Sequence, residues 1–197
     1  GVRDLRAHDR LAAALAAIDE ANTADPNTLA GQPLALVEGR TAHGWTMRLD
    51  PTADEAVQLA ARAHHLRRWV VPRSTYPAGR SGYLRWRRDQ QRRHADELSA
   101  LLVESGYDDA TAVRAATIVT KRGLGSDPHV QLFEDAVALT FLETQLAGVR
   151  DKLADDAKLV DVLAKTLAKM SARGRAAATG IELDPVLAEL VAVAAER

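Results

Sequence analysis

The chain has no cysteine, which excludes disulfides and thiolate chemistry and leaves His, Asp and Glu as the side chains able to hold a metal. No apolar run comes near the roughly 18 residues that a membrane helix needs, and the first residues, GVRDLRAHDR, lack the apolar centre of a signal peptide. A cytoplasmic protein with no membrane partner is the expectation. Alternating β-branched runs are nearly absent, which removes the usual sign of strands. Aromatic residues are scarce at 4%. The 197 residues are nevertheless 47% hydrophobic and 27% charged, enough for a substantial core, and one all-α domain spanning 1–197 is expected.

What the chain does have is arginine in one place. Residues 62–93 hold ten arginines and a single acid, Asp89, in a chain whose formal charge is −1. His64, His65, Trp69, Tyr76, Tyr83 and Trp86 are interleaved with them. Clustered guanidiniums repel one another unless carboxylates, phosphates or a nucleic-acid backbone satisfy them. The flanking segments carry nine acids against five bases in 1–61 and twelve against six in 94–160, so salt bridges within the fold and an external anion are both open readings. The isoelectric point of about 6.7 lacks the basic balance of a nucleic-acid binder, which ranks a small anionic molecule ahead of nucleic acid as the partner.

Helix signals run along the whole chain. Asp-Pro pairs at Asp50-Pro51, Asp127-Pro128 and Asp184-Pro185 set a capping aspartate before a proline whose missing N–H is harmless at the first helical position. Periodicity and glycine stops predict helices over about 3–24, 34–49, 50–69, 81–105, 109–121, 128–150, 157–170, 172–179 and 185–196, a compact bundle of about seven to nine. Asp25-Pro26, with Asn22 and Asn27, reads more readily as an Asx-turn that stops the first helix than as a polar cluster in a cleft.

Two features point to chemistry. The helix over 128–150 is apolar on nearly every face yet carries Glu134 and Asp135 in its middle, and buried carboxylates need a cation, a metal or several donors. His94 falls on the inward stripe of the 81–105 helix, and one of His64 and His65 is expected to point inward from the helix before it. An inward histidine from each of two helices and an acid from a third make an oxygen-and-nitrogen site suited to a divalent metal, and hydrogen-bonded core residues are the competing reading.

These pieces carry a resemblance. Ile18-Asp19-Glu20-Ala21-Asn22, Ala61-Arg62-Ala63-His64-His65-Leu66-Arg67-Arg68-Trp69, the run from Tyr76 to Arg87 and Leu132-Phe133-Glu134-Asp135-Ala136 resemble a bacterial and fungal family known only as domain of unknown function 4202. More distantly, the order of a histidine ending a helix, then His94-Ala95-Asp96-Glu97-Leu98, then Glu134-Asp135-Ala136 is similar to the histidine–aspartate (HD) phosphohydrolase superfamily. That resemblance implies an HD-like helical domain with His65, His94 and Asp135 as ligands of a divalent metal such as Mn, Mg, Fe or Zn. Leu66 stands where that superfamily has the aspartate following the histidine.

The expectation for function is therefore a metal-dependent phosphohydrolase acting on a small phosphorylated metabolite or nucleotide. Glu134 would serve as general base, with Asp135 beside it, and Arg68, Arg80, Arg85 and Arg87 would neutralise phosphate oxygens, with Tyr83, Trp86 and Asn22 lining the substrate. The alternative is a non-catalytic helical module whose Arg and aromatic block over 62–93 holds an anion or a partner.

Overall fold

The computed structural model describes residues 7–197 and is all-α. Ten α-helices follow one another: α1 (Ala7–Asn22), α2 (Leu34–Leu49), α3 (Glu55–Arg62), α4 (Arg80–Glu104), α5 (Asp109–Val119), α6 (Pro128–Thr144), α7 (Leu146–Leu153), α8 (Asp156–Lys169), α9 (Ala172–Ala178) and α10 (Pro185–Ala195). The strand content of the described residues is a two-residue antiparallel hairpin, β1 (Thr28–Leu29) and β2 (Gln32–Pro33), between α1 and α2. The first helix was expected from Arg3, and residues 3–6 lie outside the described part.

The capping chemistry is largely as the sequence implies. Asp127 caps α6 by accepting from His129 N at 2.9 Å, and Asp184 caps α10 by accepting from Val186 N and Leu187 N, both at 3.0 Å. Asp25 makes the expected turn, accepting from Asn27 N, and its second oxygen takes the Ala35 N–H of the first turn of α2. At Asp50 the expectation fails. Asp50 closes α2 and makes a local turn with Thr52 N, and α3 starts later, where Asp54 accepts from Ala56 N at 2.8 Å. Helix 128–150 is two helices, because Gln145 leaves helical geometry between α6 and α7, and this gives ten α-helices where seven to nine were expected.

The central helix is α6, as its composition predicts. One face, with Val130 and Phe133, joins an apolar cluster that contains Ile18, Leu59, Leu98 and Ile118. The other, with Ala136, Leu139 and Leu142, joins a cluster that contains Trp45, Leu159, Leu163 and Leu187. Helices α2 and α3 approach backbone to backbone beside it: a Cβ on Gly39 would lie 2.3 Å from the Arg62 carbonyl oxygen. A similar approach holds the start of α4, where a Cβ on Gly82 would lie 1.9 Å from the Pro77 carbonyl oxygen. No helix among the described residues is long and apolar enough to cross a membrane.

Candidate functional site

The site forms where α3 stops. Helix three was expected to continue to Trp69, but it ends at Arg62, and Ala63–Arg67 make an irregular turn that closes with Arg67 in the left-handed region at φ 50°. Arg67 N donates to Asn22 Oδ1 at 2.9 Å, Arg93 donates to the Arg67 carbonyl at 2.6 Å, and Gln90 Nε2 donates to the Arg68 and Val71 carbonyls at 3.0 and 2.7 Å. Trp86 Nε1 donates to Val71 O at 2.9 Å. Side chains from α1 and α4 thus satisfy backbone groups that a helix would have satisfied internally. The turn carries both His64 and His65 inward, where one was expected.

Close approach at Gly39 brings Glu38, only 3% exposed, against this turn. His65 Nδ1 and Glu38 Oε2 are 2.5 Å apart, and Arg68 Nη1 donates to His65 Nε2 at 2.6 Å. Because a guanidinium is a donor only, Nε2 must accept, so Nδ1 carries the proton and donates to the carboxylate. The result is a chain of carboxylate, neutral imidazole and guanidinium. His64 Nδ1 is tied to the Ala61 carbonyl at 3.1 Å, the ring centroids of His64 and His65 are 4.1 Å apart, and His94 lies 6.2 Å from His65. The His94 Nε2 atom is buried without a hydrogen-bond partner among the described residues.

Burial sets the titration of the cluster. It pushes the Glu38 carboxyl above its ordinary range, against the pull of His64 and Arg68. It holds His65 and His94 well below the usual imidazole range, helped for His65 by the Arg68 charge and for His94 by His65. His64 is pulled down to about 3, by burial first and by His65 next. In metal-free protein, His64 binds its proton more weakly folded than unfolded, so its contribution to stability is complete above the ordinary value of 6.5 and is lost as pH falls towards 3. Between pH 6.5 and 5, His64 alone should remove about 2 kcal/mol of stability. Urea unfolding in the presence of a chelator measures this, and a midpoint unchanged across that window would contradict a buried neutral ring.

A pocket of about 120 Å³ opens beside the dyad, walled by His64, His65, His94, Arg68, Arg87 and Lys121. Trp86, 6% exposed, floors it, with the Arg68 guanidinium 4.7 Å from its ring centroid. A wider groove of about 420 Å³ adjoins it and shares Arg87, Lys121 and Val137. Tyr83, Arg80 and Glu134 line this outer groove.

The expected site residues divide accordingly. His65, His94, Arg68, Arg87 and Trp86 come together in the inner pocket, while Arg80, Tyr83 and Glu134 stand in the outer groove. Glu134 is ion-paired with Lys121 at 2.5 Å, not with any arginine of the 62–93 block. Arg85 lines neither space and lies on the exposed face of α4 with Arg80 and Arg88. Asn22 is 1% exposed and holds the Arg67 amide, so it positions the turn and lies outside the pocket lining. Asp135 is turned away from the histidines. It accepts from Ser171 N at 2.8 Å, from Ser171 Oγ and from Gln131 Nε2 at 3.1 Å, which fastens α9 to α6.

Among the described residues, the acid and imidazole atoms close enough to share one ion belong to Glu38, His64 and His65, within 4.8 Å of one another. Glu38 thus stands where Asp135 was expected. A signal for it existed: it is a lone acid on an apolar helix, the same oddity that drew attention to Glu134 and Asp135.

The family described as a domain of unknown function, DUF4202, matches residues 12–191. The chain belongs to that family. No curated protein and no solved structure matches it. In this DUF4202 chain the family match takes in Glu38, the His64-His65 turn, α4 and α6, and so contains both the inner pocket and the outer groove.

Proposed function

We propose that the chain is a phosphohydrolase acting on a small phosphorylated metabolite or nucleotide, with His65 as its general base. The observation that carries this reading is an imidazole oriented by a buried carboxylate, its far nitrogen facing a pocket walled by Arg68, Arg87 and Lys121. Arg68 and Arg87 have no carboxylate within ion-pair distance among the described residues. A phosphate entering the pocket meets two guanidiniums without a carboxylate partner, Arg68 and Arg87, beside the Lys121–Glu134 pair, and competes for the Arg68 N–H that His65 Nε2 now accepts. The freed lone pair then takes a proton from the attacking water, and Glu38 stabilises the imidazolium that forms. As the P–O ester bond breaks, the same proton passes to the leaving oxygen.

Glu38, His64 and His65 are close enough together to share a divalent ion, but the Glu38 and Arg68 bonds use both ring nitrogens of His65. While His65 acts as base, the ion would therefore rest on the Glu38 carboxylate and on His64, whose Nδ1 the Ala61 carbonyl fixes and whose Nε2 lone pair is free. Bound there, the ion would supply Lewis-acid polarisation of a phosphate oxygen or water. An HD-like ancestry is compatible with the order of the His64-His65 turn, His94 and the α6 acids, with Glu38 in place of Asp135 as the carboxylate.

The test is elemental mass spectrometry of protein purified without chelator or histidine tag, followed by a nucleotide and phosphoester panel. His65→Gln should lower turnover by about 10²–10⁴-fold with the fold intact, and His64→Ala should lose metal. Turnover unchanged in His65→Gln would overturn the assignment. Anion binding without turnover, indifferent to chelator, would instead make the chain an anion-binding module.

A further inference from the structure

We propose that the outer groove is a second anion subsite and that the substrate carries two phosphoryl groups separated by an organic body; this rests on the phosphohydrolase reading. The groove is lined by five cationic side chains, Arg80, Arg87, Lys121, Lys165 and Lys169, and by one carboxylate, Glu134, which Lys121 already occupies. Arg80, Lys165 and Lys169 have no carboxylate within ion-pair distance among the described residues, although acids outnumber bases by one in the whole chain.

Local structure favours one of these cations, Lys169 in the last turn of α8, and neither of the other two. Lys165 and Lys169 are four residues apart on α8, where like charges face each other and destabilise a helix. Arg80 stands in the first turn of α4, where the helix dipole disfavours a cation. Two helices distant in sequence therefore point unpaired positive charge into one groove.

The groove is continuous with the inner pocket through Arg87, Lys121 and Val137, so one molecule can span both. Its wall also includes large apolar side chains left open to solvent, Tyr83 at 42%, Leu84 at 49% and Val162 at 38% exposure, together with Phe141. Apolar and aromatic surface between two cationic ends fits an organic body with an anionic group at each end better than it fits a bare inorganic anion. The inner end, at Arg68 and His65, is the group that reacts. The outer end, at Arg80, Lys165 and Lys169, is held and not cleaved.

The test is calorimetric titration of the full chain with orthophosphate and with a series of alkane-α,ω-bisphosphates, using wild type, Arg68→Met and the double variant Lys165→Met/Lys169→Met. The best bisphosphate should bind at least about tenfold tighter than orthophosphate, because the second group is delivered by the first. The lysine variant should lose that gain and keep orthophosphate affinity. A bisphosphate no tighter than orthophosphate, or a gain that survives the lysine changes, would overturn the second subsite and leave the inner site standing. Orthophosphate binding that is absent or insensitive to Arg68→Met would instead count against the phosphohydrolase reading. A bisphosphate signal that the lysine variant abolishes would then still support the groove. Lysine→methionine keeps length and apolar stem at exposed positions, so loss of fold is not the expected outcome.

Discussion

Asp135→Ala is expected to lower the stability of the protein by about 3 kcal/mol, a fall in Tm of roughly 10 °C, while leaving the proposed phosphate and metal binding in the inner pocket unchanged. The carboxylate, 3% exposed, accepts from the Ser171 amide and hydroxyl and from Gln131, and Ser171 Oγ in turn accepts from Gly174 N at 3.0 Å to cap α9. Removing it strands buried donors and loosens the cap together. Gly174 sits so close that a Cβ there would lie 2.6 Å from the Asp135 Cγ atom, so α9 has no side chain at that position to fill the space the carboxylate leaves. Thermal unfolding with metal analysis on the same sample separates the two roles. A variant that keeps its Tm and loses its metal would return Asp135 to the ligand set.

Gly39→Ala should cost about 3 kcal/mol and also damage the site at a distance. Its methyl would lie 2.3 Å from the Arg62 carbonyl oxygen, a backbone atom that cannot rotate away, so α2 and α3 must part. Glu38 is the next residue, and the 2.5 Å contact with His65 opens with them. Phosphate affinity should then fall even at temperatures where the variant is fully folded. Gly44→Ala on the same helix is the control: its Cβ would meet only the end of the Arg48 side chain at 3.6 Å, and the better helix propensity of alanine should leave stability equal or slightly higher. Equal effects of the two substitutions would mean that close approach at Gly39 is not what sets the dyad.

Much of the helix order was legible because local chemistry decides it. The α2 bounds Leu34–Leu49 match the apolar pattern, and Asp127-Pro128 and Asp184-Pro185 start α6 and α10 as their residue types require. The end of α3 was not legible. Ala61 to Arg68 is acceptable helix sequence, and what stops it is the set of partners that Asn22, Gln90 and Arg93 offer from elements far along the chain. The arginine block was visible as a block but not as a division of labour. Arg62 is taken by Asp19 in two bonds of 2.6 and 2.7 Å, Arg67 and Arg93 pair with Glu97, and only some of the rest face the pocket. The site acids were assigned from adjacency in sequence, yet neighbours on a helix point about 100° apart, so Glu134 and Asp135 serve different spaces. Glu38, 26 residues before His64, is brought to it by the meeting of α2 and α3 at a glycine, which a linear reading does not contain.

The turn after α3 is fastened to four side chains before any ligand arrives: Asn22, Trp86, Gln90 and Arg93. Its loss of conformational freedom is therefore charged to folding and not to binding. Association should proceed as to a rigid receptor, with exchange of the Leu66, Arg67 and Arg68 amides slow in the free protein and little slower in the complex. The proposed site would select by shape and charge that already exist, and a ligand too large for the inner pocket would not open it.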